Sequence, residues 1–416
     1  MSGTVRIKGW DGVVSFAGKT LLFLLMVVVM LDPSGSVLHA KNALFVLFLL
    51  FNILLYKPDG KLLPYVLAPY VALVFSFTSS QLLSTQISSE FFWGMMKGFS
   101  MLFLLPWVHH YNVTAAAKAS SVILALVVIA LYTAIVLVEG LDHAVWVFAK
   151  QHNNMIMIAE RSFLGIKIYG MNYSSIITTV LPLFLFLNDA VVEGRHRLRN
   201  GFCALLLMAP FFVSGSRSTM LLPFVMVAGV VFMRLKDTKY AKLVIYPAVV
   251  LGVFFFIGLV VALASETSEE SNFVKFGHLL SYRELWDFSP EYFILGQGTG
   301  AWIYSSGFRM CCPQTEWTYI ELLRWCGVSC VFVFVTLLYP LTALRRLKDK
   351  CSVGVLLTYA VFLIVAGTNP LIVSSTGMAV ILMVYSYVEG KSRQGVPACK
   401  IDAGLCAPSD REGAVQ

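Results

Sequence analysis

The 416-residue chain is 58% hydrophobic and only 13% charged, with a formal net charge of +8. A soluble domain carries roughly a quarter of its residues as charged side chains, so lipid must be this chain's main solvent. The basic residues are spread over short connecting segments rather than gathered in a patch, which suits membrane topology and argues against nucleic acid as a partner.

Residues 1–40 have a basic start, an apolar run and Ala40, as a signal peptide would. The run is long, however, Leu38 is poorly suited to its place two before a cut at Ala40, and further apolar spans follow at once. A retained first membrane helix over 12–31 is therefore expected. Apolar runs continue near 42–56, 62–79, 91–108, 120–138, 173–188, 202–213, 218–233, 243–264, 318–341, 353–368 and 376–389, twelve in all. They predict an all-α integral membrane protein with one polytopic domain over 1–390 and a disordered cytoplasmic tail over 391–416. Several runs are shorter than the roughly 20 residues of a straight span, and those borrow polar flanks or enter at an angle.

Eight cysteines show no metal spacing: Cys203, Cys326, Cys330 and Cys351 lie in or beside apolar runs, Cys399 and Cys406 lie in the tail, and Cys311 and Cys312 are adjacent. Adjacent cysteines bridge only with strain, so neither a disulfide framework nor a zinc site is expected.

Orientation follows from counting Lys and Arg. With the N-terminus inside, inner segments hold 20, outer segments hold 8, and Lys19, Lys97 and Arg324 fall within spans. That asymmetry places both termini in the cytoplasm. It leaves two long outer loops, 139–172 and 265–317. The second is rich in acids and in aromatics such as Tyr282, Trp286, Trp302 and Tyr304. Long loops of this kind tend to carry function, and aromatic faces beside carboxylates are what sugar rings bind. An aromatic belt at the headgroups is the plainer alternative.

Five motifs and one further lysine carry candidate chemistry. Lys97, within the fourth run, is a costly intramembrane charge and so a candidate phosphate ligand, with snorkelling as its alternative. The stretch 214–218, Ser-Gly-Ser-Arg-Ser, breaks an apolar run on its outward turn; Arg217 offers a planar fork suited to phosphate oxygens, and Ser214 and Ser216 add donors. Arg283, in Ser-Tyr-Arg-Glu-Leu-Trp at 281–286, is a second guanidinium on the same side. The two could clamp a pyrophosphate as a leaving group, although Glu284 and Asp287 offer Arg283 an ion pair instead. Gly-Gln-Gly-Thr-Gly at 296–300 reads as a tight turn, since no βαβ unit surrounds it. Glu316 sits where the outer loop re-enters the membrane. It could take a proton from a sugar hydroxyl, serve as a helix N-terminal charge or pair with an arginine. Glu321 and Arg324, at i and i+3, can pair with each other. Pro370, in Gly-Thr-Asn-Pro at 367–370, marks another outward turn, followed by Ser-Ser-Thr at 374–376. Tyr282, Gln297, Tyr304 and Arg309 join Ser214, Ser216 and Lys97 as candidate substrate-binding residues.

In this order, the serine–arginine turn at 214–218, Arg283, the glycine turn at 296–300, the re-entering 315–327 and the basic inner loop after it resemble the O-antigen polymerase and ligase superfamily of bacterial membrane glycosyltransferases. The resemblance covers roughly residues 60–390. It implies a GT-C-like helical fold in the inner membrane that needs no metal, cofactor or nucleotide sugar. The donor it implies is an oligosaccharide on undecaprenyl pyrophosphate, and the acceptor is a growing glycan. Membrane lipid and a chain-length regulator are the further partners it admits. Arg217 and Arg283 match the family's pyrophosphate-handling arginines, and Glu316 occupies the position of its proposed base. The ligase branch usually carries histidine there, often followed by Asn; Glu316-Trp317 looks more like the polymerase branch. A ligase and, from another class, a transporter or flippase are the rival expectations, but transporters place ionisable groups at the midplane, often in repeated halves, whereas here the polar interest lies outside.

Overall fold

The structure, a computed structural model, describes residues 10–152, 155–163, 166–235, 270–347 and 349–394; at residues 10, 11, 159–163, 166–168, 217, 218, 270–272 and 394 it describes the main chain alone. The described chain is predominantly helical. Eleven of the twelve apolar runs fall on helices, and the twelfth, 243–264, lies outside the described residues.

In chain order the bundle contains α1 (Trp10–Leu31), α2 (Lys41–Leu55), α3 (Leu63–Leu82) and α4 (Ser89–Ser100), which tightens into a 3-10 helix over Met101–His110 around Pro106. Next come α5 (Val113–Leu137), α6 (Leu141–Gln151), α7 (Val180–Leu187), α8 (Arg197–Val213) and α9 (Arg217–Leu235). Local chemistry sets several starts. The Asn112 side chain accepts from Ala115 N–H at 3.0 Å before α5, and Ser88 accepts from Phe91 N–H at 3.3 Å before α4. Among the described residues, six segments are long and apolar enough to cross a membrane by length and composition: Gly12–Leu31, Leu63–Leu82, Ser89–His110, Val113–Leu137, Thr318–Arg346 and Lys350–Gly367. Lys41–Leu55, Ile176–Val192 and Thr219–Leu235 are apolar but shorter.

The two expected outer loops are not loops throughout. The first holds α6 and an antiparallel hairpin, β1 (Ile156–Phe163) and β2 (Ile166–Tyr173). The second holds α10 (Glu270–Phe288), the short α11 (Glu291–Leu295) and a small hairpin, β3 (Ile303–Ser305) and β4 (Met310–Cys312). The reason is a helical stripe in α10: Gly277, His278, Ser281 and Tyr282 are all buried, a spacing that turns one face inward. A Cβ on Gly277 would come within 2.3 Å of Gly307 N, so α10 rests directly on the backbone of the hairpin turn. His278 meets Ser305 Oγ through Nδ1 at 2.8 Å, and burial pushes its pKa below the usual imidazole value.

Beyond the hairpin, α12 (Thr318–Cys326) and α13 (Cys330–Arg346) are one apolar segment broken at Gly327, whose φ is +54°. A Cβ there would sit 2.1 Å from the Ile294 carbonyl oxygen, so only glycine fits. The break frees two helix carbonyls for the glycine-rich turn. Arg324 C=O accepts from Gln297 N–H at 2.6 Å, and Trp325 C=O accepts from Gly298 N–H at 3.0 Å. The hydroxyl of Ser76 on α3 joins the same knot: it donates to Trp325 C=O at 2.8 Å and accepts from Thr299 N–H at 2.6 Å. Gly296, Gly298 and Gly300 all have positive φ, as a tight turn requires.

The chain ends in α14 (Lys350–Gly367) and α15 (Ser375–Gln394). Residues 391–394 are thus the last turn of a helix rather than the start of a disordered tail, because Lys391 and Arg393 pair with Asp349 and Asp59 at 3.4 and 2.7 Å. The rest of that tail lies outside the described residues. Among the described residues, a large hydrophobic cluster runs from Leu22 to Val388, and a smaller one around Tyr282, Ile303 and Cys312 sits with α10 and the β3–β4 hairpin. The bundle therefore has two unlike ends. One carries short turns with Asp59–Arg393, Asp349–Lys391 and Lys118–Asp189 ion pairs. The other carries α6, both hairpins, α10 and α11.

Candidate functional site

The first turn of α15 lies at the loop-rich end, and two lysines approach it. Ser374 caps the helix by accepting from Gly377 N–H at 3.2 Å, and the remaining N–H groups of the first turn leave the partial positive charge of a helix start. Lys41, at the start of α2, donates through Nζ to Pro33 C=O at 2.6 Å and to Ser375 Oγ at 3.2 Å. Buried Asp32 stands behind this loop. Burial alone would push its carboxyl up, but N–H groups of Leu38, Gly35 and Val37 and the Ser34 hydroxyl hold it below the usual value.

Lys97 reaches the same place by a different route. Gly98 lets α4 lie directly on the chain ahead of α15: a Cβ there would come within 2.5 Å of Val373 C=O and 3.3 Å of Ser374 Cα. Lys97 is the preceding residue, and its side chain is exposed. Two lysines from separate helices thus flank one helix N-terminus, an arrangement that favours an anion.

The segment carrying Glu316 is tied to the turn ahead of α15. Thr318 Oγ1 donates to Asn369 C=O at 2.6 Å, and Trp317 Nε1 donates to Lys275 C=O at 3.1 Å. Glu316 itself faces Lys275 of α10, Nζ to Oε2 being 3.9 Å, with both side chains about one-third exposed. An ion pair this open is worth little in stability.

The start of α9, at Arg217, can be placed from the packing of α9 on α14. A Cβ on Gly354 would meet Met233, and Thr358 meets Met226 at 3.3 Å, so the two helices run antiparallel. Nine residues along each, about 13 Å at 1.5 Å per residue, bring Arg217 level with Gly367. The Arg217 side chain lies outside the described residues. Ser214 is buried and donates to Phe211 C=O at 2.7 Å while accepting from Ser216 N–H at 3.3 Å, so it shapes the turn before α9. Gly215 within that turn has φ +63°.

The remaining candidates divide into two groups. Arg283 is on the exposed side of α10, 78% accessible, and pairs with Asp287 at 3.5 Å, the ion pair that the sequence offered as its alternative. It lies eight residues from Lys275, about 12 Å along the helix. Tyr304 on β3 is exposed, as is Arg309, which has φ +54° and rests its guanidinium 5.2 Å from the Phe273 ring. Tyr282 and Gln297, by contrast, face inward. The Tyr282 hydroxyl donates to Glu321 Oε1 at 2.7 Å and meets Thr315 Oγ1. Gln297 accepts from Arg324 Nη1 at 2.6 Å and donates to Trp302 C=O at 3.1 Å. Both are structural in this arrangement.

The structure thus ties the segment bearing Glu316 to the turn ahead of α15, lays α4 beside Lys97 on that turn, brings the start of α9 level with Gly367, and leaves Arg283 on an exposed face. Sequence reasoning missed Lys41 as a member of the group and saw it only as one charge in the topology count; its signal was a lysine at the first position of an apolar run. Comparisons with known protein families, with curated proteins and with solved structures returned no match.

Proposed function

We propose that the protein is a polytopic membrane glycosyltransferase that extends a bacterial glycan from repeat units carried on undecaprenyl pyrophosphate. In this reading about twelve spans in a GT-C-like arrangement cross the inner membrane, both termini are cytoplasmic, and the loop-rich end faces the periplasm. One observation supports it most: Lys41, Lys97 and the N-terminus of α15 share one end of the bundle with the segment bearing Glu316. Cations and helix N–H groups suit a pyrophosphate, and a carboxylate beside them suits proton removal from a sugar.

The donor's pyrophosphate rests on the cationic group with Arg217. An acceptor hydroxyl attacks the anomeric carbon, its proton passes to Glu316, the bond from the anomeric carbon to the phosphate oxygen breaks, and undecaprenyl pyrophosphate leaves with the electron pair. Arg283, on the outer face of α10, meets the donor from the water side. Tyr304 and Arg309 lie on the same outer surface, where the glycan enters.

The test uses detergent-solubilised protein with purified lipid-linked repeat units. A ladder of longer glycans and release of undecaprenyl pyrophosphate are expected. Transfer only onto lipid A–core would assign the ligase reaction instead, and neither product would overturn the proposal. Topology is checked separately with single cysteines and an impermeant reagent. A cysteine replacing Glu291 should label in intact cells and one replacing Ser392 should be protected; the reverse pattern would invert the whole assignment.

A further inference from the structure

Beneath the outer elements lies a polar cluster that the proposed reaction does not touch. Arg324 and Glu321 are both fully buried. Each of the five N–H groups of Arg324 has a partner: Nε and Nη2 donate to Glu321 Oε2 at 3.0 and 2.7 Å, Nη1 donates to Gln297 Oε1 at 2.6 Å and Ala301 C=O at 2.9 Å, and Nη2 also donates to Pro313 C=O at 3.0 Å. The other oxygen of Glu321 accepts from Tyr282 O–H at 2.7 Å and from Thr315 N–H at 3.0 Å. Since the Tyr282 hydroxyl donates to Glu321, it accepts from Thr315 Oγ1.

The partners of this cluster are not spread evenly. Pro313 and Thr315 flank Glu316 on one side, and Trp317 and Thr318 are anchored on the other, to Lys275 C=O and Asn369 C=O. The carboxylate of Glu316 therefore hangs from a strand of chain gripped at both ends. A buried ion pair is a poor way to gain stability, because apolar residues of similar volume often do as well. What it supplies is a fixed geometry, since every lone pair and proton has one partner. From this we infer that Tyr282, Glu321 and Arg324 are positioning residues: they hold the 313–317 segment so that the Glu316 carboxylate faces the acceptor hydroxyl. The inference rests on the proposed transfer for the role of Glu316, but the grip on the segment does not depend on it.

Tyr282 is the member to change first. Tyr282→Phe removes one hydroxyl and keeps the ring that stacks on Trp286 at 5.8 Å between centroids, so folding is preserved where Glu321→Gln or Arg324→Met risks losing it. Extension of lipid-linked repeats by Tyr282→Phe should show kcat lowered roughly 10–100-fold, the scale of a small misplacement of a reacting group, with KM unchanged. In a Glu316→Gln background the same change should cost less than about twofold, because its effect runs through the carboxylate already removed. An equal loss in both backgrounds, or no loss in either, would overturn the inference. A second readout needs no activity. With cysteine at 316, the rate of labelling by an impermeant maleimide should rise several-fold when Tyr282 becomes Phe, and an unchanged rate would overturn the grip itself. If wild-type protein extends no glycan, the transfer reading fails while the labelling result still decides this one.

Discussion

Arg217→Ala should abolish glycan extension while the protein still accumulates in the membrane. Arg217 is the first residue of α9, and the packing of α9 on α14 puts it level with Gly367, where the chain leaves α14 toward Ser374 and α15. In the proposed reaction its guanidinium serves the same pyrophosphate as Lys41 and Lys97. Charge that develops on the departing pyrophosphate is then met by donors already in place. Removing one such donor typically costs about 10²–10³ in rate, and a ladder built by many successive transfers would vanish from a gel at that loss. Arg217→Lys should rescue poorly, because it keeps the charge and loses the fork that binds two oxygens at once. Arg283→Ala tests the outer face in the same assay and should likewise abolish extension. It pairs with the exposed Asp287, so no buried charge is left behind there to lower the protein level. Normal ladders from both alanine variants, at normal membrane levels, would remove the arginines from the mechanism.

Glu316→Gln should slow extension by about 10²–10⁴-fold, the usual scale of general-base catalysis. Glutamine keeps the shape of the side chain and loses only the ability to take a proton. The carboxylate sits on chain gripped at Pro313, Thr315 and Thr318, and its contact to Lys275 is long at 3.9 Å and partly exposed. The substitution therefore leaves the segment in place, and the protein level should not change. Turnover of purified lipid-linked repeats by the solubilised variant is the measurement. A loss of donor binding with turnover preserved would make Glu316 a partner for a cation instead of a base. Near wild-type behaviour in both would falsify the assignment and leave the cationic group standing.

How far the sequence reaches depends on which solvent each segment meets. Helices such as α3, α5 and α14 are legible because apolar runs of this length have few other ways to satisfy their backbone in lipid. The pair Glu321–Arg324 is legible for a similar reason, since residues three apart on a helix share a face. The outer elements obey weaker rules. The stripe of α10 is built from Gly277, His278, Ser281 and Tyr282, none of which is a conventional apolar marker, so residues 270–288 read as loop. The hairpin β3–β4 has three residues in each strand, too few for alternation to stand out. The glycine turn at 296–300 is legible as a turn, but the inward role of Gln297 is not, because its partner Arg324 lies 27 residues further on. Tyr282 reads as an exposed sugar platform for the same reason: Glu321, which buries it, is 39 residues away. Lys41 and Lys97 meet only through the fold, on either side of a helix that begins more than 270 residues after Lys97.

The knot at Ser76 has a consequence for the order in which the molecule is made. Its hydroxyl joins Thr299, 223 residues later, and the carbonyl of Trp325, 249 residues later. At ribosomal rates of about 5–20 residues per second, α3 waits on the order of ten seconds or more for its partners to emerge. During that interval the end of α3 has no glycine turn to cover it, and the turn, once made, still lacks the two carbonyls that Gly327 releases. The outer elements can therefore lock only after α12 has entered the membrane. A chain that stops before residue 324 leaves the Glu316 segment without Arg324 and the turn without its seat. Closure of this one knot thus falls at the end of synthesis, and unfinished chains hold the glycine turn and the Glu316 segment unlocked.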